Sequence, residues 1–219
     1  MKEMLKMFSD EGELLGEMEK KVFHETMRKQ FAETGTANIR HRHVRLLLMT
    51  SNGRVILQRR SKWKGDNAGM WDKTIGGHVA GDDSFDLTML KECAEELGIP
   101  ATVVSKEEFE HTTKVTDLHV LAVLTKLSYL DNFKSKRKDS EGNTWVEPTM
   151  NQFYIGYYNG AIRFMDSESC GIQVFSKSEL IKELEEAPDS FTEDIKYILE
   201  KFADKIKPIE GKIDHVLSD

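Results

Sequence analysis

The spacing of apolar residues divides the chain into strands and helices. Two apolar runs, Val44–Thr50 and Arg54–Gln58, flank Ser51-Asn52-Gly53, and an Asn-Gly turn between such runs predicts a β-hairpin. Further strands are predicted at 5–18 (two short strands), 73–79, 113–128 and 150–158. Helices are predicted at 19–31, 85–97, 177–186 and 192–205. Strands interleaved with helices indicate an α/β fold, an α/β/α sandwich with a central mixed β-sheet.

The chain is expected to fold around one main domain. It contains no internal repeat, no low-complexity tract and no linker rich in Pro, Gly or Ser. We expect residues 1–40 to form an N-terminal extension packed on the domain, residues 41–205 to form the domain itself, and residues 206–219 to form a C-terminal tail.

The composition argues against several classes of protein. Of the 219 residues, 31 are Lys or Arg and 38 are Asp or Glu, and the net charge of −7 argues against general nucleic-acid binding. The longest aliphatic run, Leu46–Met49, is far shorter than the roughly 20 residues that span a bilayer, so no membrane contact is expected. The start of the chain has no apolar stretch of signal-peptide length, and Cys93 and Cys170 are too few for a disulfide framework. A cytoplasmic location is therefore expected.

The predicted helix at 85–97 concentrates acidic residues. One side of this helix forms an apolar stripe that is expected to be buried, made of Leu87, Leu90, Ala94 and Leu97. Almost opposite the stripe lie three carboxylates, Glu92, Glu95 and Glu96. Like charges at this spacing, close to the negative end of the helix dipole, cost roughly a few tenths of a kcal/mol per pair. Either this face is simply solvated, or it binds divalent cations, which prefer clustered carboxylate oxygens.

A longer spaced pattern surrounds the same helix. Its frame is Gly77-x5-Asp83-x7-Lys91-Glu92-Cys93-x-Glu95-Glu96-x-Gly98-Ile99. This frame resembles the Nudix box, the loop–helix–loop signature of the Nudix hydrolase family, and it implies the Nudix fold. Asp83 and Lys91 stand where the family has Glu and Arg, a pair that helps to orient the metal-binding glutamates. Both replacements keep the charge, but Lys lacks the bidentate fork of Arg.

The resemblance implies a metal-dependent pyrophosphohydrolase. The expected reaction is hydrolysis of a diphosphate linkage in a nucleoside diphosphate derivative or a related organic diphosphate, which is a small-molecule substrate. Glu92, Glu95, Glu96 and the carbonyl of Gly77 would hold Mg²⁺ or Mn²⁺. The general base would be Glu96 or Glu168, and both alternatives stay open. A homodimer is expected only by analogy with the family.

Basic residues before the box are candidates for binding phosphate. Together with the histidine of the box they are Arg59, Arg60, Lys62, Lys64 and His78. The alternative for the two lysines is a solvated basic loop, and Trp63 would either stack on a base or pack against the protein. A second basic run, Lys134–Lys138, lies in the polar segment between Tyr129 and Glu147. This segment is interpreted as a flexible solvated loop, with a lid over phosphates or a contact for a partner as alternatives.

Residues beyond the box resemble one branch of the family. Gly69-Met70-Trp71-Asp72, Gly76-Gly77-His78 and the segment 168–180 are similar to type I isopentenyl diphosphate isomerase. That enzyme has its catalytic cysteine where this chain has Gly76, and a second carboxylate where it has Thr149, so isomerase activity is not expected. The resemblance also implies a candidate second metal site for Zn²⁺ or Mn²⁺, formed by His24, His41, His78 and Glu147. Alternatively, these histidines only form hydrogen bonds within the scaffold.

One further function from a different class stays open. The replacements at Asp83 and Lys91 would also suit a catalytically weak or inactive module that keeps the Nudix fold to bind a ligand. Such a module would bind a nucleotide or diphosphate without turning it over.

Overall fold

A central β-sheet with helices on both faces forms the fold. The computed structural model describes residues 2–164 and 169–212. Within these residues the strands are β1 (Met4–Phe8), β2 (Leu14–Glu19), β3 (His41–Met49), β4 (Val55–Arg60), β5 (Trp71–Asp72), β6 (Ile75–His78), β7 (Ala101–Val104), β8 (Ala122–Lys138), β9 (Thr144–Tyr157) and β10 (Ser169–Phe175). The helices are α1 (Lys20–Thr34), α2 (Phe85–Leu97), α3 (Lys106–Val115), α4 (Lys177–Glu186) and α5 (Glu193–Phe202), with short 3₁₀ turns at Pro188–Ser190 and Ala203–Lys205.

The large sheet is mixed, as the sequence predicts. Its strand order is β10-β4-β3-β9-β8-β7, with β5 paired to β4 and β6 paired to β3. The β3–β9 and β7–β8 pairs are parallel, whereas the other pairs of this sheet are antiparallel. Strands β1 and β2 form a separate antiparallel hairpin.

Strand β3 shows why both faces of the sheet are covered. Its side chains alternate, so Leu46 and Leu48 pack with α2 on one face, whereas Leu47 and Met49 pack with α4 and α5 on the other. All four are essentially buried. Continuous apolar sequence in a strand is typical of a sheet that is buried on both faces. The predicted α/β architecture with a covered mixed sheet is therefore confirmed.

The predicted hairpin between β3 and β4 is confirmed. Gly53 has a φ of 78°, a conformation that glycine adopts readily, and its amide donates to the carbonyl of Thr50 over 2.9 Å. A Cβ at this position would lie 2.6 Å from backbone atoms of Lys207 and Pro208, because the C-terminal segment packs against the turn. Within the described part of this segment, Ile206 and Ile209 are buried in the core.

The N-terminal residues also contact the main sheet. Phe8 and Arg40 exchange two backbone hydrogen bonds, of 2.9 and 2.8 Å. A small apolar cluster joins the β1–β2 hairpin and α1 to β9. Its buried members are Leu5, Phe23, Met27, Ile39 and Trp145.

The segment before and after Tyr129 differs from the prediction. The strand predicted at 113–128 begins only at Ala122, because the chain before it forms the end of α3 and a turn. The run Lys134–Lys138 is neither a loop nor a lid, since it lies on β8 and pairs with residues 144–148 of β9. Its side chains alternate: Ser135 and Arg137 are buried, and the lysines between them are exposed. Buried polar residues hid this strand from a search for apolar alternation.

Among the described strands and α-helices, the sequence pattern missed β5, β7, β10 and α3. Strands β5 and β7 are short, β10 is partly exposed and α3 is largely exposed, so none of them has strong apolar periodicity.

Candidate active site

Helix α2 begins and ends where the sequence predicts. The Ser84 hydroxyl accepts a hydrogen bond from the amide of Leu87 over 3.1 Å, which caps the N-terminus. Gly98 ends the helix in a left-handed conformation with a φ of 63°. These two caps fix the position of the acidic residues along the helix axis.

The buried face of α2 shares only Leu97 with the predicted stripe. Leu87 is 44% exposed and Ala94 is also exposed. The helix instead packs through Met89, Cys93 and Leu97, which lie one turn apart. A helical wheel shows which residues lie on the same side of a helix, but it does not show which side packs against the sheet. The buried side of α2 was therefore predicted incorrectly. Because the helix is rotated in this way, its acidic face is partly turned inward.

The three predicted glutamates line one cavity of about 560 Å³. Glu96 is only 6% exposed, Glu92 is half-buried, and Glu95 lies at the exposed rim. The acidic face of α2 is therefore not simply solvated at Glu96, which was the first of the two alternatives for this face. Hard oxygen donors gathered in one cavity are the ligand type that Mg²⁺ and Mn²⁺ prefer.

Gly77 provides the space that the Glu92 side chain occupies. A Cβ added at Gly77 would overlap with the carboxylate of Glu92. The carboxylate therefore lies directly against the backbone of β6, and a larger residue at this position would displace it. This contact brings together two residues that the sequence assigns to the same cation.

The pair of charged residues expected from the spacing is present. Lys91 Nζ lies 2.6 Å from Asp83 Oδ2, although both residues depart from the family pattern. The hydrogen bond from Lys91 to Asp83 raises the pKa of the lysine above its usual value. Both side chains line the mouth of the cavity.

A second group of metal-ligand types lies deeper in the same region. One ligand atom from each of His24, His41, His78 and Glu147 can be chosen so that all four lie within 4.8 Å of one another. Glu147 Oε1 is 3.2 Å from the Nε2 atoms of both His24 and His41, and His78 Nε2 is 3.2 Å from His24 Nε2. The four residues come from α1, β3, β6 and β9.

The environment favours the ionisation states that ligate metals. Burial lowers the pKa of His41 and lowers that of His78 strongly, so both rings are neutral near pH 7. Burial opposes ionisation of Glu147, but Arg137 and the neighbouring histidines outweigh it and hold the pKa well below its usual value. Arg137 donates through Nε and Nη2 to Glu147 Oε2, over 2.9 and 2.6 Å. That contact leaves Oε1 facing the histidines.

The candidate phosphate-binding residues do not all face the cavity. Arg60, Lys64 and His78 line it. Arg59 points to the other side of β4, where its guanidinium lies 5.7 Å from the centre of the Trp71 ring. In the loop after β4, Trp63 is 83% exposed, and Lys62 Nζ lies 4.8 Å from the centre of its ring. Glu168 lies outside the described residues.

The lining residues that were not predicted as site residues include His43, Lys73 and Arg137. All three are buried: Lys73 pairs with Asp194, Arg137 pairs with Glu147, and the His43 ring lies 5.1 Å from the ring of His78. No local pattern marks such residues, because an isolated charged residue in a sequence normally indicates a solvated position.

The carboxylate helix beside a mixed, covered sheet defines a Nudix-type α/β domain. Residues 39–195 match the NUDIX domain family, and the chain belongs to this family. No curated protein matches the chain significantly. Within the described residues, no helix has both the length and the apolar character needed to cross a membrane.

The likeness to one solved structure, with a TM-score above 0.5, supports the same fold. The DR0079 protein from Deinococcus radiodurans is 16% identical, with a TM-score of 0.61 over 90% of this chain and 98% of its own. The MutT protein from Methanosarcina mazei Go1 is 19% identical, with a TM-score of 0.48 over 74% of this chain and 92% of its own. The NUDIX domain of Shewanella oneidensis NrtR, solved with ADP ribose, is 16% identical, with a TM-score of 0.42 over 72% of this chain and 87% of its own. At 16% identity the likeness to the DR0079 protein bears on the fold alone, and the two structures with TM-scores below 0.5 add nothing to it.

Proposed function

We propose that this protein is a Nudix hydrolase that cleaves a diphosphate linkage in a nucleoside diphosphate derivative or a related organic diphosphate. One observation carries the proposal: Glu92, Glu95 and Glu96 of the box line a single cavity, with Glu92 held against the backbone of Gly77. Diphosphate chemistry requires cations that offset the charge of the phosphoryl oxygens, and this cavity collects the side chains that hold such cations.

The residues present fit a hard divalent cation. Glu92, Glu95, Glu96 and the carbonyl of Gly77 would hold Mg²⁺ or Mn²⁺, because all four supply oxygen ligands and line the same cavity. When bound, such a cation neutralises phosphoryl charge and lowers the pKa of a coordinated water. The chain itself contributes the position of these ligands, which the caps of α2 and the absence of a side chain at Gly77 determine.

The remaining residues divide the work of binding and proton transfer. Glu96 is our first candidate to accept the proton of the attacking water, because its carboxylate is enclosed within the cavity wall. Glu168 is the alternative base. Arg60, Lys64 and His78 line the cavity and would donate hydrogen bonds to phosphoryl oxygens.

The ion pair of Asp83 and Lys91 would orient the glutamates without touching the substrate. Lys91 directly precedes Glu92 in the helix, so fixing its side chain fixes the turn that carries the ligand.

We also infer a second cation site, of the Zn²⁺ or Mn²⁺ class, at His24, His41, His78 and Glu147. Their ligand atoms lie within 4.8 Å of one another, and Arg137 holds the far oxygen of Glu147. Neutral imidazole nitrogens with one carboxylate form a donor set typical of such cations.

Isomerase activity has no support from the thiols. Gly76 supplies no acid or base, and Cys93 lies on the buried face of α2, where burial first, and then the nearby glutamates, raise its pKa to about 12. A ligand-binding module without turnover is favoured by a different observation. The Asp83–Lys91 contact is a single, partly exposed ion pair rather than a bidentate one.

A substrate panel tests these alternatives together. Nucleotide sugars, dinucleotides, nucleoside triphosphates and prenyl diphosphates are incubated with the protein in Mg²⁺ and, separately, in EDTA. We expect Mg²⁺-dependent hydrolysis of at least one class. Binding without turnover in Mg²⁺ and in Mn²⁺ would instead identify a ligand-binding module, and interconversion of isopentenyl and dimethylallyl diphosphates would identify an isomerase.

A further inference from the structure

Lys73 occupies an unusual position at the floor of the cavity. Its Nζ lies 3.0 Å from Asp72 Oδ2 and 3.0 Å from Asp194 Oδ2, and both aspartates are buried. The lysine is only 3% exposed, yet it lines the cavity, whereas neither aspartate does. The carboxylates therefore lie behind the ammonium group, and the positive charge faces the cavity.

Two guanidinium groups reach the same floor. Arg60 Nη1 lies 3.4 Å from Asp72 Oδ2, and Arg137 binds Glu147 through Nε and Nη2. Both arginines line the cavity. Among the described residues, Arg137 Nη1 has no hydrogen-bond partner, so its two N–H groups are available to a ligand.

The buried ion pairs beneath the cavity do not balance. Among the residues that the structure describes, they connect four cations, Arg45, Arg60, Lys73 and Arg137, with three carboxylates, Asp72, Asp194 and Glu147. Within this group, with the histidines and the other carboxylates that line the cavity left out of the count, one positive charge is in excess. A buried excess charge is unfavourable in a medium of low dielectric constant unless a counter-ion approaches it.

Gly76 gives this charge access to the cavity. A Cβ at this position would lie 2.7 Å from Lys73 Cε and 3.1 Å from His43 Cε1. Any side chain here would therefore push the lysine away from the floor. Gly76 directly precedes Gly77, so the cationic floor begins beside the carboxylate wall of α2.

We propose that Arg60, Lys73 and Arg137 form an anion subsite that takes the terminal phosphoryl group of the substrate. The floor is closed from behind by Asp72 and Asp194, so a group that reaches it must be the end of the ligand. A terminal phosphoryl group offers three non-bridging oxygens and a second negative charge, which suits three converging cations.

This inference rests on the proposed function, which supplies the phosphorylated substrate. It narrows the substrate class to compounds with a free terminal phosphate. Substrates with a free terminal phosphate, such as nucleoside triphosphates or prenyl diphosphates, are preferred over dinucleotides and nucleotide sugars, in which both phosphates are esterified.

Binding of inorganic pyrophosphate in EDTA tests the subsite separately from hydrolysis. Without divalent cations the carboxylate wall repels the ligand, and the loss of saturable binding in variants of the cationic floor, measured by titration calorimetry, assigns the binding to that floor. We expect wild-type protein to bind pyrophosphate but not dimethyl phosphate, and Lys73→Met to raise the Kd at least about tenfold. Arg59→Met is the matched control, because Arg59 neighbours Arg60 but points away from the cavity.

A second variant covers the case in which Lys73→Met does not fold. Gly76→Ala keeps every buried charge, and its methyl group would lie nearest to the lysine side chain, with His43 Cε1 next at 3.1 Å. We expect it to weaken pyrophosphate binding several-fold with an unchanged circular dichroism spectrum. Absence of saturable binding to the wild type, equal binding of dimethyl phosphate, or an unchanged Kd in folded Lys73→Met or Gly76→Ala would overturn the subsite. None of these outcomes depends on whether the protein hydrolyses anything.

Discussion

Lys91 Nζ and Asp83 Oδ2 lie 2.6 Å apart, and this contact joins the middle of α2 to the loop that leads into it. The side chains are 48% and 25% exposed, so water screens their attraction and the pair adds little to global stability. Its importance is local, because it holds the helical turn that carries Glu92. The pair can therefore be separated experimentally from the fold.

Lys91→Met is expected to weaken the dependence of activity on Mg²⁺ without affecting the fold. Groups that orient metal ligands typically contribute about 10- to 100-fold to metal affinity, so the Mg²⁺ concentration for half-maximal turnover should rise about tenfold or more. Lys91→Arg should restore it, since Arg keeps the charge and adds the bidentate fork. Mg²⁺ titrations of turnover, with thermal unfolding as the stability control, give the answer. An unchanged Mg²⁺ requirement in Lys91→Met would exclude an orienting role.

Gly77→Ala should nearly abolish turnover, because the new methyl group displaces the Glu92 carboxylate. Misplacement by about 1 Å can reduce catalysis about 100-fold, which is the reduction in kcat we expect. Gly171→Ala is the control, since a Cβ at that position contacts nothing within 4 Å. Steady-state kinetics measure both variants. If Gly77→Ala and Gly171→Ala both matched the wild type, the contact between Gly77 and the Glu92 carboxylate would not be needed for turnover.

The histidine cluster should retain about one equivalent of a transition metal after expression in medium with Zn²⁺ and Mn²⁺. His78→Gln removes one ligand and should release that ion, whereas the exposed His111 can be replaced by Gln without effect. Elemental analysis after dialysis measures the metal content of the wild type and of both variants. Equal metal contents in wild type and His78→Gln would show that these histidines only form hydrogen bonds.

Asp194→Asn should cost about 3–5 kcal/mol of unfolding free energy at pH 7, because it leaves buried cations without their partner. Burial opposes ionisation of Asp194, but Arg45 and Lys73 outweigh it and hold the pKa well below the usual value of 3.8. In wild type the unfolded chain therefore binds a proton first as the pH falls, and this stabilisation, present above pH 4, is lost below it at up to about 1.4 kcal/mol per pH unit.

Denaturant titrations at pH 7, 4 and 3 measure both effects of this substitution. The variant lacks the titrating carboxyl, so its stability should fall less steeply below pH 4 than that of wild type. Asp189→Asn, at an exposed position, serves as the control. An equally steep loss in Asp194→Asn would mean that the low pKa is not a property of this ion pair.

Local signals in the sequence were sufficient for some elements. Helix α2 runs over 85–97 as predicted, because Ser84 and Gly98 are strong caps and the spacing between them is that of a helix. The turn at Gly53 was equally clear. The wrong face of α2 was chosen because burial of Glu96 depends on a cavity that other elements build.

Long-range charge pairing could not be predicted. Lys73 and Asp194 lie 121 positions apart, and each alone resembles an ordinary surface residue. The same reason explains the mistaken loop at Lys134–Lys138, where Arg137 is buried only because Glu147 pairs with it. The resemblance supplied the four members of the histidine cluster, whereas the cationic floor had no signal in the sequence.

The most direct test of metal-dependent hydrolysis is the turnover of Glu96→Gln on the substrate that the wild type cleaves fastest in Mg²⁺. Gln keeps the size of the side chain but cannot accept the proton or bind a cation strongly. We predict a kcat reduced about 100-fold or more, with an unchanged circular dichroism spectrum, and wild-type turnover in Glu185→Gln on the exposed side of α4. Turnover by Glu96→Gln equal to that of the wild type would contradict the assignment of this cavity as the active site.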